Sequence, residues 1–428
     1  MALIGTVPRR CVNLPAGALR ALVGATLRGR LQEGPEVERF QAEFARWLGV
    51  PHVFGAATGR SAFQLALEAL DLSAGAEIVF PAFTFPVMPA VAELLGYVPV
   101  FCPVDPDTFN AGPEHVEPKI TGRTGAVLAT HLFGRPCPIE PLAELARGRG
   151  IRVLEDCAHA CGLRVDGKQV GTFGDVGVFS FAQGKNMPCF GGGAIAVKDD
   201  EVAERARRIL AEAPIDSASA IRKEATSIWI KWLVTRPLVF GLTAYQALRV
   251  KQMLGKPLMD SAVGDDLLER FKKSDPRTRR FANLQAAVGL LQLREIDEFN
   301  AGAKRNGEIL TRALAGVPGV HVPPPTRDHI FVYYPLRVDP DKRDDLRAHL
   351  LRHGVDTKLT DMSDCSTLAA FAGRGAARAD GEPVAEATLL EICVYPTLSE
   401  RQMHRIARAI REWAGLDASP TRAANAAT

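Results

Sequence analysis

The sequence predicts an α/β protein in which helices cover both faces of a mostly parallel sheet. Short apolar runs alternate with stretches of helical periodicity between about residues 37 and 197, the pattern of strand–helix–strand units. Hydrophobic residues make up 47% of the 428 residues and charged residues 24%, which is the balance of a globular protein and excludes a disordered or coiled-coil chain.

Each element is predicted from the spacing of its apolar residues. The pattern VERFQAEFARWL gives the first clear helix, at 37–48, which Gly49 ends. Strands then alternate with helices: strands are predicted at 78–81, 98–101, 126–130, 151–154, 176–181 and 194–197, and helices at 62–70, 87–95 and 141–147. In such sheets, ligand-binding groups come from the loops at the carboxyl ends of the strands.

The last third of the chain is predicted to be a small α+β domain, with a strand at 330–338 and helices at 343–353 and 400–413. A long helix at 283–299 leads into it. The predicted domain order is an N-terminal arm (1–34), the large α/β domain (35–214), a helical insertion (215–274), the connecting long helix (275–300), the C-terminal domain (301–416) and a disordered tail (417–428).

Charge and cysteine content exclude several classes of protein. The 52 basic and 49 acidic residues leave a net charge of +3, which gives no electrostatic argument for nucleic-acid binding. The eight cysteines form no C-x-x-C pair, so no metal site is expected. The N-terminal MALIGTVPRR has no apolar signal-peptide core, so a cytoplasmic protein is expected.

Three strand ends carry the groups of interest. Asp156 lies two residues past the strand at 151–154, and Lys185 and Ser180 flank the end of the strand at 176–181. The small-residue loop at 55–62 opens a helix, whose N-terminus could hold a phosphate. Each signal alone is weak, because a strand-end Asp often only caps a helix and a lone Lys is usually a surface residue.

Together the three signals match the needs of pyridoxal phosphate. This cofactor requires a lysine that forms its Schiff base, a carboxylate on its pyridine nitrogen and an anchor for its phosphate. An aromatic face against the ring is the fourth requirement, and the segment FPAFTF at 80–85 supplies one just past another strand.

At these residues the sequence resembles the DegT/DnrJ/EryC1/StrS family of sugar aminotransferases. The resemblance covers roughly residues 12–210 and 276–412, and its motifs include GPEVERFQAEFARWLGV, EIVFPAFTFPVMPAV, PVDPDTFN, THLFGRP, EDCAHACG, GTFGDVGVFSF and NLQAAVGLLQL. It implies a fold-type I pyridoxal-phosphate enzyme with a mostly parallel seven-stranded sheet, which works as a homodimer with shared active sites and acts largely on nucleotide-activated keto sugars.

The resemblance also implies roles for individual residues. Lys185 would form the Schiff base and then move a proton, and Asp156 would pair with the pyridine nitrogen. His159 would lie near the cofactor's phenolic oxygen and Phe85 would stack on its ring. The phosphate would be held by Gly59, Arg60 and Ser180. Lysine at 185 argues against the family's dehydratases, which have histidine there.

Two further residues match a segment through which the partner subunit commonly reaches the phosphate. This segment usually reads G-x-N-x-R, and here residues 276–280 place Thr278 at the asparagine and Arg280 at the arginine. Three residues are candidates for the substrate side. His131 follows the strand at 126–130, and alternation along the strand at 330–338 should send one of Tyr333 and Tyr334 into the core and the other toward the site.

Two loops depart from the family, which puts a nucleotide-sugar substrate in question. The turn after the lysine usually reads Gly-Glu-Gly-Gly, but residues 190–193 are Phe-Gly-Gly-Gly. The loop at 357–364 shares little with the family's sugar-site loop, which is rich in His, Tyr and Pro. The cofactor chemistry therefore looks intact, whereas the substrate pocket looks rebuilt.

The largest departure is an insertion of about fifty residues, roughly 215–274. Apolar residues recur at helical spacing in it, and Pro237 can begin a second helix. Residues 221–256 contain seven basic residues and one acid, Glu224. Lys231, Arg236 and Pro237 interrupt any membrane span. Two readings stay open: a basic amphipathic hairpin on an anionic membrane, at the inner face, or a helical cap over the pocket or the dimer seam.

The sequence thus predicts an aminotransferase that moves an amino group from an amino acid, glutamate by analogy with the family, to the keto group of a sugar-like, nucleotide-activated substrate. Two alternatives remain. The acceptor could be a lipid-linked or apolar ketone at the membrane surface, or the chain could be a non-enzymatic regulatory homologue, since some family members were first described as regulators.

Overall fold

The computed structural model describes residues 5–256, 258, 264–273, 277–374 and 385–416. The tail predicted at 417–428 lies outside these residues. The predicted fold class is confirmed: a seven-stranded, mostly parallel sheet is covered by helices on both faces. Its strands are β1 (His52–Ala56), β2 (Glu77–Pro81), β3 (Val98–Cys102), β4 (Thr124–Thr130), β5 (Arg152–Asp156), β6 (Val176–Ser180) and β7 (Gly193–Val197).

The strand order places β5, which ends at Asp156, beside β6, which precedes Lys185. From one edge to the other it is β1–β7–β6–β5–β4–β2–β3, and only β7 runs antiparallel to its neighbours. The central strands are apolar on both faces because alternate residues enter different cores. In β4, Val127 and Ala129 pack with one face's helices, and Ala126 and Leu128 pack with the other's.

Fifteen α-helices lie in the described residues. They are α1 (Ala18–Leu27), α2 (Glu36–Leu48), α3 (Gly59–Leu70), α4 (Val87–Leu94), α5 (Pro113–Val116), α6 (Ile139–Arg147), α7 (Asp200–Glu212), α8 (Ala218–Val234), α9 (Pro237–Leu242), α10 (Ala244–Met253), α11 (Gly264–Lys272), α12 (Asn283–Leu314), α13 (Pro340–Arg352), α14 (Ala385–Thr388) and α15 (Glu400–Trp413).

The connecting helix α12 is longer than predicted. It runs to Leu314 rather than ending at residue 299, so the predicted domain boundary at 300/301 falls inside a continuous helix. Gly289 lets α2 approach it closely, because a Cβ there would lie 2.6 Å from the ring of Phe40. The helix therefore packs on the large domain with its first half and on α15 with its second.

The C-terminal domain is built on a three-stranded antiparallel sheet, in the order Val320–His321, Tyr334–Val338 and Leu389–Ile392. The strand predicted at 330–338 begins only at Tyr334, because Phe331 has a φ of 49° and breaks the extended conformation. The N-terminal arm is tied to this domain: Arg9 Nε donates to Asp356 Oδ2 at 2.7 Å.

The predicted insertion contains α8 to α11. The buried face of α8, formed by Ile221, Ala225 and Ile228, packs against α1 and the start of α12. The helix predicted after Pro237 is broken into α9 and α10 at Thr243, which has φ −121° and ψ −88°. Of the helices in the described residues, none has both the length and the hydropathy to cross a bilayer.

Candidate active site

The carboxyl ends of the sheet strands open into a cavity of about 400 Å³, a volume usual for small-molecule sites. The large domain supplies most of its wall, and the N-terminal arm, α8 and the C-terminal domain close it. Its lining includes Arg10, Gly59, Arg60, Phe85, His131, Asp156, His159, Ser180, Lys185, Glu224, Tyr333, Lys358 and Asp361. The cavity therefore collects most of the residues that the sequence singled out.

Lys185 lies in the turn after β6, where its backbone N–H donates to the carbonyl of Ala182 at 2.9 Å. Burial, together with the positive charges of Lys358 and Arg10, lowers the pKa of its amine to about 8, although Asp156 opposes the shift. Because only the neutral amine is nucleophilic, this environment favours the form that attacks an aldehyde.

Asp156 is the last residue of β5 and is buried. Its Oδ1 accepts a hydrogen bond of 3.0 Å from the N–H of Ala158, which fixes the carboxylate at the cavity wall. Burial raises the pKa of Asp156, while the Ala158 N–H and Lys185 act against that shift. A buried carboxylate of this kind favours a cationic partner such as a protonated pyridine nitrogen.

His159 is held as a neutral imidazole. Burial, with Lys185, Lys358 and Arg10 nearby, lowers its pKa well below the usual range. The backbone N–H of Phe133 donates to Nδ1 at 3.3 Å, so the ring hydrogen is on Nε2. His159 can thus donate one hydrogen bond to an oxygen in the cavity.

The end of the cavity at the N-terminus of α3 suits a phosphate. Thr58 caps α3 by accepting a hydrogen bond of 3.0 Å from the N–H of Ser61. Gly59 follows, and a Cβ there would lie 2.6 Å from Ser180 Oγ, so only glycine leaves the serine hydroxyl and the helix end this close. Arg60 is exposed and has no acidic partner in the described parts of the chain.

The electrostatics at this end of the cavity also favour binding of a phosphate. An anion is favoured at a helix N-terminus, and the Arg60 guanidinium adds a positive charge there.

Phe85 lines the cavity immediately after Thr84, which pairs with Ser363 of the C-terminal domain in a two-stranded ladder. This pairing holds the aromatic side chain beside the loop at 357–364.

His131 borders the cavity but is fully buried, and both of its ring nitrogens are engaged. Nδ1 accepts from the N–H of Cys137 and Nε2 lies 3.2 Å from Glu155 Oε2. It therefore has no free nitrogen for a substrate. His131, Glu155 and Cys157 come close enough together to resemble a metal cluster, but three backbone N–H groups already donate to the Glu155 carboxylate at 2.7 Å each.

Tyr333 and Tyr334 lie in different environments, as the predicted alternation of side chains suggests, although only Tyr334 is in the strand. Tyr333 lines the cavity, and its hydroxyl donates to the carbonyl of Gly184 at 2.7 Å. Tyr334 is fully buried in the C-terminal core beside Thr311, so it is not a substrate-side residue.

Thr278 and Arg280 do not line the cavity of their own chain. Thr278 Oγ1 donates to Glu68 Oε2 at 2.9 Å and Arg280 bonds Glu33 at 2.7 Å. Their segment nevertheless runs beside the phosphate end, since the N–H of Ala57 donates to the carbonyl of Arg279. A contact to the partner subunit's phosphate stays a prediction.

The sequence reasoning missed a charged group on the substrate side. Lys358 Nζ lies 2.6 Å from Asp361 Oδ2 and 3.2 Å from Glu391 Oε2, and Arg10 bonds Asp361 at 3.3 Å. Burial raises the pKa of Asp361, but Lys358 and Arg10 outweigh it and hold the pKa below its usual value. Only the i, i+3 spacing of Lys358 and Asp361 in the departing loop could have indicated this pair.

A second group of possible metal ligands lies away from the cavity, where α15 brings Glu412 Oε2 within 3.5 Å of His353 Nε2, beside His349. The acid comes from a different helix, so sequence proximity could not reveal it.

The residues at the cavity fit pyridoxal phosphate, with a lysine, a buried carboxylate, an aromatic side chain and a phosphate seat around one space. The sheet topology and this site define the class of fold-type I pyridoxal-phosphate enzymes. Residues 17–224 and 276–411 match the model of the DegT/DnrJ/EryC1/StrS aminotransferase family, and the chain belongs to this family.

Named relatives agree with this assignment. The chain is 31% identical to dTDP-3-amino-3,4,6-trideoxy-alpha-D-glucose transaminase of Streptomyces venezuelae, over 90% of this chain and 89% of that protein. It is 32% identical to dTDP-4-dehydro-2,3,6-trideoxy-D-glucose 4-aminotransferase of Saccharopolyspora spinosa, over 76% of each. The crystal structure of S. venezuelae DesV with a ketimine intermediate matches with a TM-score of 0.71 and 29% identity, covering 93% of this chain and 94% of that one.

The protein is therefore a pyridoxal-phosphate-dependent aminotransferase, which sets aside the non-enzymatic alternative. The family match stops at residue 224 and resumes at 276, so it does not include residues 225–275. The insertion at roughly 215–274 stays a prediction.

Proposed function

We propose that this aminotransferase takes nitrogen from an amino acid, glutamate in the first instance, and delivers it to the ketone of a hydroxylated, nucleotide-activated sugar or a close analogue. One observation carries the proposal: a single cavity contains Lys185 and Asp156 together with a group of charged side chains. That group is formed by Arg10, Lys358 and Asp361. We place the reaction in the cytoplasm.

When bound, pyridoxal phosphate supplies an electron sink and carries the amino group from one substrate to the other. Lys185 would anchor the cofactor covalently, and its amine would hold and transfer a proton as base and then acid, a role that suits a pKa of about 8. Asp156 keeps the pyridine nitrogen protonated, and His159 donates a hydrogen bond from Nε2. Gly59, Arg60 and Ser180 bind the phosphate.

Two observations support a hydroxylated acceptor. The charged groups of Arg10, Lys358 and Asp361 present both hydrogen-bond donors and an acceptor beside Tyr333, as sugar hydroxyls require. The two relatives described above are named for dTDP-linked sugars.

The proposed working unit is a homodimer in which each site borrows residues from the partner. The segment containing Thr278 and Arg280 lies beside the phosphate end and at the start of the helix that joins the two domains. An exposed apolar stripe on α1, formed by Leu19, Val23 and Leu27, offers further area for such an interface.

A lipid-linked or otherwise apolar ketone is the second candidate acceptor. Apolar side chains also border the cavity, among them Met88, Leu132 and Met362, and α8 of the insertion reaches its edge through Glu224. Such an acceptor would be drawn from a membrane surface.

Stepwise transamination tests the proposal. Purified holoenzyme mixed with glutamate should lose the absorbance of the bound aldehyde form and release 2-oxoglutarate. The aminated enzyme should then convert a dTDP-linked keto-deoxyhexose to its amino sugar, detected by mass spectrometry, and should ignore a long-chain alkyl ketone. The reverse preference would favour the second candidate, and no spectral change with any amino donor would contradict the proposal.

A further inference from the structure

The insertion exposes most of the large apolar side chains that this protein shows to solvent. Eleven such side chains are exposed in the described residues, and seven of them lie within 25 consecutive residues of α8, α9, α10 and the turn after α10. We call these seven the insertion surface: Ile230, Leu233, Leu238, Leu242, Val250, Met253 and Leu254. A concentration of this kind is unusual for a soluble enzyme and marks an interaction site.

The exposure does not come from a loosely attached hairpin, because the opposite faces of the same helices are firmly packed. Ile221, Ala225 and Ile228 bury one side of α8 against α1 and α12. Phe240, Tyr245 and Leu248 are buried with Leu351 of α13. The Tyr245 hydroxyl also donates to the Leu351 carbonyl at 3.0 Å. The exposed side chains therefore belong to an outer face of seated helices.

The same segment carries unneutralised positive charge. Its seven basic residues have no acidic partner in the parts of the chain that the structure describes: Arg222, Lys223, Lys231, Arg236, Arg249, Lys251 and Lys256. Arg236 instead lies 4.1 Å from the ring of Trp232, and Arg249 bonds Gln252. The only acid within 221–256, Glu224, borders the active-site cavity. The segment thus exposes apolar side chains together with the cations Arg222, Lys223, Lys231 and Lys256.

We propose that the insertion surface docks this enzyme on the interface of an anionic lipid bilayer. The apolar side chains would enter the region between headgroups and acyl chains, and the lysines and arginines would bind lipid phosphates and anionic headgroups. The segment cannot span the bilayer, so contact is confined to one leaflet. The family match omits 225–275, which agrees with a role separate from the shared chemistry.

A second copy of the chain fits this surface less well. In a two-fold interface the same patch meets itself, so the exposed cations of both copies, Lys231 and Lys256 among them, would be brought together. Interface cores are also depleted in lysine, whereas three lysines lie within 231–256 here. An anionic bilayer offers both the opposite charge and an apolar phase.

Vesicle co-sedimentation tests the proposal with the full-length holoenzyme. Binding is expected to vesicles of phosphatidylcholine with about 30% phosphatidylserine, at least tenfold stronger than to pure phosphatidylcholine, and to weaken as salt is raised. The double variant Leu238→Asp/Leu242→Asp should lose this binding at least tenfold. The control Leu94→Asp introduces one such charge at an exposed leucine of α4, outside the insertion surface, and should bind normally.

Two further readouts keep the outcomes distinct. Circular dichroism melting verifies that the double variant folds, and the glutamate half-reaction in solution should be unchanged, since neither leucine borders the cavity. Failure of the holoenzyme to bind anionic vesicles at low salt would overturn docking while leaving the aminotransferase intact. A double variant that changes the oligomeric mass, with no vesicle binding by the parent, would show instead that the surface joins copies of the chain.

Discussion

The hydroxyl of Tyr333 donates a hydrogen bond of 2.7 Å to the carbonyl oxygen of Gly184, the residue before Lys185. This bond joins the C-terminal domain to the turn that presents the Lys185 amine. Lys358 lies 5.1 Å from the centre of the same ring, so the charged substrate wall and the lysine turn meet at one side chain.

Removal of the Tyr333 hydroxyl should loosen the lysine turn. Tyr333→Phe is expected to cost about 0.5–1.5 kcal/mol of unfolding free energy and to lower kcat several-fold. Tyr334→Phe removes a hydroxyl bonded to Thr311, away from the cavity, and should reduce stability while leaving kcat unchanged. Denaturant unfolding and steady-state kinetics measure both effects. Equal kcat losses in the two variants would show that the Gly184 bond has no special role.

Lys358 compensates the buried carboxylate of Glu391 and the half-buried carboxylate of Asp361. Lys358→Met leaves Asp361 and Glu391 without their closest cation and should cost about 3 kcal/mol, the lower end for breaking a buried pair. Lys342→Met, which removes an exposed i, i+3 pair with Asp339, should cost less than about 0.5 kcal/mol. Urea unfolding compares the two variants, and similar losses would argue against a buried charge group at the substrate wall.

The close approach of Gly59 to Ser180 makes the phosphate seat sensitive to one methyl group. Gly59→Ala should displace Ser180, because the new Cβ would lie 2.6 Å from its Oγ, and cofactor affinity should fall at least about tenfold. Gly122→Ala, where no atom lies within 4 Å, serves as control. Fluorescence titration with pyridoxal phosphate measures the affinities. Unchanged binding in Gly59→Ala would place the phosphate elsewhere.

The lowered pKa of Lys185 gives a specific pH dependence. Its pKa of about 8 is below the ordinary 10.5, so between these values the unfolded chain holds the extra proton. The stability of the cofactor-free protein should therefore rise with pH from about 8 to 10.5, and Lys185→Met should lack this rise. The rate of cofactor capture should rise with pH and level off above about 8. A rise that continues to 10.5 would show an unperturbed amine.

Local patterns in the sequence predicted the large domain well, because its strands and helices bury residues with regular spacing. The end of α12 was missed for a tertiary reason. Asn300 and Gly302 suggest a helix end, but they lie in the interior, where Asn300 Nδ2 donates to the Cys161 carbonyl and Gly302 lies against Pro396. Packing outweighed the local propensity of both residues.

The candidate site likewise has one part that the sequence predicts and one part that only the structure reveals. Asp156 and Ser180 end two neighbouring strands of one sheet and Lys185 follows the second, so strand order alone brings them together. Arg10 and Asp361 are 351 positions apart and meet only because the N-terminal arm crosses onto the C-terminal domain. No local pattern encodes that crossing, so the substrate wall became visible only in the structure.

The most direct test of the account is the absorbance spectrum of the protein reconstituted with pyridoxal phosphate, followed by borohydride reduction and peptide mapping. The wild type should absorb at about 410–430 nm and carry the reduced cofactor on Lys185, as should Lys198→Ala, which removes a lysine that bonds the backbone carbonyls of Thr172 and Phe173. Lys185→Ala should lack both the band and the adduct. A labelled peptide that does not contain Lys185, or an unchanged band in Lys185→Ala, would contradict the assignment.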